Sequence, residues 1–130
     1  MTQAVAADTH AALWFLEDDK RLAPGAAAAL EAADRIILPS IVLVEIIYLI
    51  EKNRLRPEVL SRVVGELSKP TTTLEIANLD LGIALALNRV SRQAVPDMPD
   101  RIMAATALHN QVPLVTRDEN LRSCGIETIW

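Results

Sequence analysis

Cysteine, long apolar runs and basic N-terminal residues are scarce or missing in this sequence. The single cysteine, Cys124, excludes an internal disulfide and a zinc site built on cysteines. The apolar runs 41–44 and 46–50 are separated by Glu45 and, like every other apolar run in the sequence, fall well short of the ~18 residues of a membrane span. The first residues also lack the basic and apolar regions of a secretory signal peptide. We therefore expect a cytoplasmic protein.

Glycine and aromatic residues are also few. With 4 glycines and 51% hydrophobic residues, the chain is not expected to be disordered, and its 130 residues predict one domain spanning 1–130. An aromatic content of 3% leaves little material for stacking on single-stranded bases, and a net charge of −4 does not favour nucleic acid by bulk charge. A phosphodiester can still bind locally where a metal ion offsets part of the negative charge.

Short apolar strands alternate with helices along the chain. Strands are predicted over 5–7, 35–38, 71–76, 113–116 and 127–129, and helices over 11–16, 25–33, 41–52, 57–67, 81–90 and 99–108, with a short turn or helix at 121–123. Thr9, Ser40 and Asp80 are the predicted N-caps of the helices they precede. This alternation is typical of the α/β class, as a three-layer α/β/α sandwich around a mainly parallel sheet.

Two acidic residues stand directly after predicted strands. Asp8 follows the first strand and Asp118 follows the strand at 113–116. In a parallel sheet, ligands bind beyond the carboxyl ends of the strands, so both side chains are expected at the binding edge. Taken singly, each has the alternative role of capping a turn or a short helix.

Glu45 is the strongest single indication of a site. It is the only charged residue between Arg35 and Glu51, in a helix that is apolar nearly all round and is therefore predicted to be buried. A buried carboxylate must be paired, protonated or bound to a metal. The alternatives are an ion pair, for which Arg101 is a candidate partner, or a position at the helix edge that reaches water.

Asp97 and Asp100 flank Pro99 at the predicted start of a helix. A capping pair would account for both residues without any chemistry. Asp100 shares a helix face with Ala104 and Ala107, the side on which the helix can pack most closely. We predict that Asp100 is the functional acid and that Asp97 is a cap or a supporting residue.

The acidic residues together predict a metal site. Grouped carboxylates repel one another unless a cation is present, and oxygen ligands favour Mg²⁺ or Mn²⁺. His10 and His109 are too scattered for a zinc motif. A site of this kind activates water at a phosphodiester. The predicted catalytic and metal-binding residues are Asp8, Glu45, Asp100 and Asp118, with Asp97, Thr116 and Ser40 in support.

Five segments resemble one family over nearly the whole chain. They are DTHA at 8–11, PSIVLVEI at 39–46, PDMPDRIMAATA at 96–107, LVTRD at 114–118 and GIETIW at 125–130. In this order and spacing they resemble PIN-domain proteins, specifically the VapC-type toxins of bacterial toxin–antitoxin pairs. The proline at 99 lies one position later than in the Asp-Pro-x-Asp form of relatives, which leaves the choice between Asp97 and Asp100 open.

The resemblance implies an α/β/α fold and a ribonuclease that uses Mg²⁺ or Mn²⁺. Such an enzyme would cut particular RNAs (tRNA, rRNA or mRNA), leave a 5′-phosphate and a 3′-hydroxyl, and be silenced by a VapB-type antitoxin whose helix sends an arginine into the acidic site. The family's acids fall on Asp8, Glu45, Asp100 and Asp118. Candidates for guiding the RNA backbone are Arg54, Arg56, Arg62, Arg101, Arg117 and Arg122.

Apolar surface on the helices at 40–52 and 57–67 also predicts a homodimer.

Three other functions fit the sequence less well. A receiver domain needs a lysine late in the chain, whereas Lys20, Lys52 and Lys69 are all misplaced. A haloacid-dehalogenase-type phosphatase needs an acid where this chain has His10. A PIN-like module without catalysis is disfavoured because all four acids are present.

Overall fold

A computed structural model describes residues 3–130, so the first two residues of the predicted domain lie outside the described part. The strands are β1 (Ala4–Ala7), β2 (Arg35–Pro39), β3 (Leu74–Ala77), β4 (Leu114–Val115) and β5 (Thr128–Ile129). The helices are α1 (Thr9–Leu16), α2 (Pro24–Ala32), α3 (Ile41–Glu51), α4 (Glu58–Leu67), α5 (Leu81–Ala86), α6 (Met98–Asn110) and α7 (Glu119–Arg122), and a 3₁₀ turn (Leu87–Arg89) follows α5.

The strands form one parallel sheet in the order β3-β2-β1-β4-β5. β1 lies at the centre because its short alanine-rich sequence is buried between β2 and β4. Helices cover the sheet, so the predicted α/β/α class and parallel sheet are confirmed. Within residues 3–130, no helix combines the length and apolar character needed to cross a membrane.

The sheet reverses its winding direction between β1 and β4. From β1 the chain moves outward through β2 to β3, then returns to the other side of β1 to form β4 and β5. Crossovers between parallel strands are right-handed, so this reversal opens a crevice at the carboxyl ends of β1 and β4. Asp8 and Asp118 follow those two strands closely.

Two predicted caps are wrong and two are confirmed. Asp8, not Thr9, caps α1, because its Oδ1 accepts a hydrogen bond from Ala11 N at 2.9 Å. Ser40 does not cap α3, since its hydroxyl accepts a hydrogen bond from Leu79 N instead. Asp80 caps α5 as predicted, and Asp97 caps α6 through its hydrogen bond with Asp100 N.

The prediction that α3 is buried all round is also wrong. Val42 and Ile46 are buried on one face, whereas Val44, Ile47 and Tyr48 on another face are 57%, 43% and 54% exposed. The latter three residues are spaced i, i+3 and i+4 and so form a continuous apolar strip. The sequence cannot distinguish a helix buried in the core from a helix whose second face is an exposed apolar surface, because both are apolar all round.

Candidate active site

Five acidic side chains line one cavity at the crevice between β1 and β4. The cavity has a volume of about 360 Å³ and is lined by Asp8, Thr9, His10, Glu45, Leu49, Asp97, Asp100, Met103, Arg117 and Asp118. The four predicted catalytic residues are all in this lining, together with Asp97 of the supporting set. They come from four separate parts of the chain, which the fold brings together.

Asp8 is the most deeply buried of the acids. Its Oδ1 caps α1, and its Oδ2 accepts a hydrogen bond from the Thr116 hydroxyl at 2.5 Å. Burial raises the pKa of Asp8, and the hydrogen bonds from Thr116 and Ala11 oppose that rise by stabilising the carboxylate. Asp8 therefore caps α1, and this hydrogen bond also fixes its carboxylate at the wall of the cavity.

Thr116 connects the two strand ends. Its hydroxyl donates to Asp8 and accepts a hydrogen bond from Asp118 N at 3.1 Å. Asp118 in turn caps α7, with Oδ1 accepting from Leu121 N at 3.0 Å. One hydroxyl therefore positions both acids. Ser40, the other predicted hydroxyl, lies outside the cavity lining and binds Leu79 N instead.

Glu45 reaches the cavity from the first half of α3. Its Oε1 accepts a hydrogen bond from the Thr9 hydroxyl at 2.6 Å, and among residues 3–130 it forms no ion pair. Arg101, the suggested partner, donates to the carbonyls of Leu87 and Val90 instead. Burial is the main cause of the raised pKa of Glu45, with the hydrogen bond from Thr9 acting in the opposite direction.

Asp97 and Asp100 divide their tasks at the start of α6. Asp97 is the N-cap, and its Oδ2 accepts from Asp100 N at 3.1 Å. The Asp100 carboxylate accepts no hydrogen bond from any residue in the described range, although it is half-buried. Burial, followed by the charges of Asp97 and Asp118, raises the pKa of Asp100 to about 7. Asp100 is thus the acid whose charge is least compensated.

The chemistry of this lining fits a divalent cation. The donors are carboxylates and hydroxyls, which Mg²⁺ and Mn²⁺ prefer. Burial is the main cause of the raised pKa values of Asp8, Glu45 and Asp100, and a bound cation would favour their charged forms. Within residues 3–130, no three carboxylate, imidazole or thiol groups are placed to ligate one ion together. The arrangement therefore fits an ion held through one or two carboxylates with water as its other ligands, as is usual for Mg²⁺.

Three lining residues were missed or given another role from the sequence. Thr9 was assigned as a helix cap, whereas its hydroxyl orients Glu45. The sequence gives His10 no role in the site, and it does not rank Arg117 above the other five candidate arginines. These residues could have been found from their positions next to Asp8 and Asp118, because residues that flank an acid at the end of a strand lie near the same crevice.

The remaining arginines are dispersed. Arg101 is held by two carbonyl groups, and Arg62 donates to the carbonyl of Leu16. Neither lines the acidic cavity. Both guanidinium groups donate to main-chain carbonyls instead, and contact with RNA stays a prediction for these two arginines.

Fold and cavity together define a parallel α/β protein with an acidic site at its topological switch point. The model of the PIN domain family matches residues 5–126, so the chain belongs to the PIN domain family, and the resemblance seen in its motifs is confirmed. A curated relative, Ribonuclease VapC22 of Mycobacterium tuberculosis, is 28% identical over 116 residues, which cover 89% of this chain and 88% of the relative.

Solved structures show the same fold. VapBC2 from Rickettsia felis, crystallised with a DNA fragment from its promoter, matches with a TM-score of 0.71 and 17% identity over 97% of both chains. A toxin–antitoxin complex from Klebsiella pneumoniae matches with a TM-score of 0.65 and 24% identity over 93% of this chain and 92% of that one. FitAcB from Neisseria gonorrhoeae matches with a TM-score of 0.62 and 18% identity over 95% of both chains.

Proposed function

We propose that this protein is a VapC-type toxin, a metal-dependent endoribonuclease that hydrolyses RNA phosphodiester bonds and is controlled by an antitoxin. The observation that carries the proposal is the gathering of Asp8, Glu45, Asp100 and Asp118 around one cavity at the switch point of the sheet. The ribonuclease name of the curated relative gives independent support.

The four acids have different tasks in this proposal. Asp8 and Asp100 hold Mg²⁺ or Mn²⁺, directly or through water, because Asp8 is fixed by two hydrogen bonds and Asp100 carries the least compensated charge. Glu45 and Asp118 complete the site and orient the attacking water. A bound cation supplies charge neutralisation at the phosphodiester and makes that water more acidic. Thr9, Thr116 and Asp97 hold the acids in place.

The exposed apolar strip of α3 is the proposed partner surface. Val44, Ile47 and Tyr48 are exposed there, and Leu81 and Leu85 are 74% and 59% exposed on α5. Contiguous exposed apolar side chains mark interaction sites in soluble proteins. A homodimer and an antitoxin helix are both expected to use surfaces of this kind. The Klebsiella pneumoniae structure is a toxin–antitoxin complex, which supports the expectation of a cognate antitoxin.

The decisive experiment is RNA cleavage by purified protein. The wild type is incubated with total tRNA and rRNA in Mg²⁺ or Mn²⁺, and in EDTA. Cleavage is expected only with metal, and Asp8→Asn and Asp100→Asn are expected to lose it, by at least about 100-fold. Glu31→Gln, an exposed acid outside the cavity, is the control for removing one negative charge.

The same experiment separates the enzyme from a PIN-like binding module without catalysis. A binding module would leave RNA intact under every metal condition. Wild-type rates in Asp100→Asn would show that the acid site is wrongly assigned. Circular dichroism spectra of each variant establish that lost activity does not reflect unfolding.

A further inference from the structure

One arginine at the rim of the acidic cavity is held by an aromatic ring rather than by an acid. The guanidinium carbon of Arg117 lies 4.6 Å from the ring centroid of Trp14. Trp14 is buried in α1, 4% exposed, and its ring also packs against Trp130 at a centroid distance of 6.0 Å. The Arg117 side chain is exposed and lines the cavity.

The absence of an acidic partner for Arg117 is informative. Five acids line the same cavity, and Asp118 is its neighbour in sequence. Among residues 3–130, the ion pairs are Arg21–Asp19, Arg35–Glu75 and Lys69–Glu66, so Arg117 belongs to none. A cation over a tryptophan face gains about 0.5–1 kcal/mol at an exposed site. The guanidinium is therefore held on the ring of a buried side chain and not by an ion pair with one of the acids.

The backbone on either side of Arg117 is fixed as well. Thr116 N donates to Ile129 O at 3.1 Å, the Thr116 hydroxyl binds Asp8, and Asp118 caps α7. The arginine is therefore presented from a rigid turn and has N–H groups available for a ligand. No other arginine or lysine in the described part of the chain lines this cavity.

From this geometry we infer that Arg117 binds a phosphate of the RNA next to the bond that is cut, and that Trp14 positions it. The inference rests on the proposed ribonuclease function. Five acids repel a phosphodiester, and a positive charge held at the rim opposes that repulsion where the RNA backbone enters the cavity. Guanidinium groups bind phosphate through paired N–H donors, and a guanidinium already neutralised by an acid would bind it less well.

Arg21 provides a matched control on the same ring. Its guanidinium carbon lies 4.9 Å from the Trp14 centroid, but it forms an ion pair with Asp19 at 2.7 Å and does not line the cavity. Arg117→Gln and Arg21→Gln thus remove the same charge and the same kind of contact with Trp14. Only the first is expected to affect RNA.

The test measures binding of a fluorescein-labelled 12-nucleotide single-stranded RNA of mixed sequence by anisotropy in EDTA, at several salt concentrations. Arg117→Gln is expected to weaken binding about three- to tenfold and to reduce the slope of log affinity against log salt by about 0.7, the value for one phosphate contact. Arg117→Lys should keep the slope and lose part of the affinity. Equal affinity and slope in Arg117→Gln, Arg21→Gln and wild type would overturn the inference.

The role of Trp14 is tested by a double-mutant cycle. Trp14→Phe weakens the cation–π contact and is expected to lower RNA affinity in the wild type but not in Arg117→Gln. An equal loss in both backgrounds would show that Trp14 matters only for packing and would overturn its positioning role. Thermal unfolding of each variant identifies effects of stability.

Failure of this inference can be distinguished from failure of the proposed function. If wild type cuts RNA with metal and Arg117→Gln binds RNA as wild type does, the function stands and the assignment of Arg117 is wrong. If wild type neither binds nor cuts RNA, both are wrong. Tight binding that depends on Arg117 without cleavage under any metal would support the arginine and contradict the nuclease.

Discussion

Replacing Asp100 with asparagine is predicted to stabilise the metal-free protein above neutral pH. In the folded protein the pKa of Asp100 is about 7, against an ordinary value of 3.8, because the side chain is half-buried among Asp97, Asp118, Glu45 and Asp8. Between these two values the folded state holds a proton that the unfolded state has lost. Stability contributed by this group is therefore full below pH 4, falls as the pH rises, and reaches its minimum above pH 7.

The magnitude follows from the difference between the two pKa values. About three pH units correspond to about 4 kcal/mol if the whole difference acts on folding. Because the side chain is half-exposed, water screens its interactions, and we reduce the expected effect to about 1–2 kcal/mol. The substitution leaves the N-terminal cap of α6 intact, since Asp97 accepts its hydrogen bond from the backbone N of residue 100.

The assay is urea unfolding in EDTA at pH 4.5 and pH 8, followed by circular dichroism. Asp100→Asn should gain about 1–2 kcal/mol over wild type at pH 8 and much less at pH 4.5. Glu31→Gln, an exposed acid outside the cavity, should match wild type at both. An equal or absent gain at the two pH values would refute the electrostatic reasoning. Added Mn²⁺ should stabilise wild type more than Asp100→Asn, because the variant binds the ion less well.

Three further predictions concern single contacts. Thr116→Val should lower stability by about 1–3 kcal/mol in urea unfolding and abolish most RNA cleavage, because buried Asp8 loses its hydroxyl donor. Thr116→Ser keeps that donor and should behave as wild type. Equal behaviour of the two variants would contradict this role of the hydroxyl. In light scattering, wild type is expected to have the mass of the proposed homodimer and Ile47→Asp the mass of a folded monomer; equal masses would contradict an interface on α3. Gln111→Gly should raise stability by about 0.5–1 kcal/mol, because this residue ends α6 at φ 56°, where glycine is unstrained; a loss would refute the argument.

The elements that depend on local signals were predictable from the sequence. Asp80 and Asp97 cap α5 and α6 as expected, and the buried strand at 35–38 appears as β2. In a parallel sheet the carboxyl ends of all strands lie at the same edge, whatever the order of the strands. Asp8 and Asp118 both follow predicted strands, so the sequence alone places them at that edge. The acids of the cavity could therefore be named before their positions were known.

What the sequence could not supply depends on contacts between distant segments. Asp8 and Thr9 are both good caps, and the choice was decided by Glu45, which takes the Thr9 hydroxyl. The stacking of Arg117 on Trp14 joins the first helix to the last part of the chain, and no local sequence pattern predicts it. The sequence predicts α3 both as a buried helix and as a source of homodimer surface, because hydrophobic residues that meet a partner have the same composition as buried ones.

The hydrogen bond between Thr116 and Asp8 also has a consequence for when the acidic cavity can form during synthesis. It joins residues 108 positions apart, and Asp118 and Arg117 lie still later in the chain. Contacts of such long sequence separation form only after the intervening loop has closed. During synthesis the first half of the chain already contains Asp8 and Glu45, but the acidic cavity stays incomplete until the last strands emerge from the ribosome. A chain still being synthesised therefore has an incomplete set of cavity acids until translation is nearly finished.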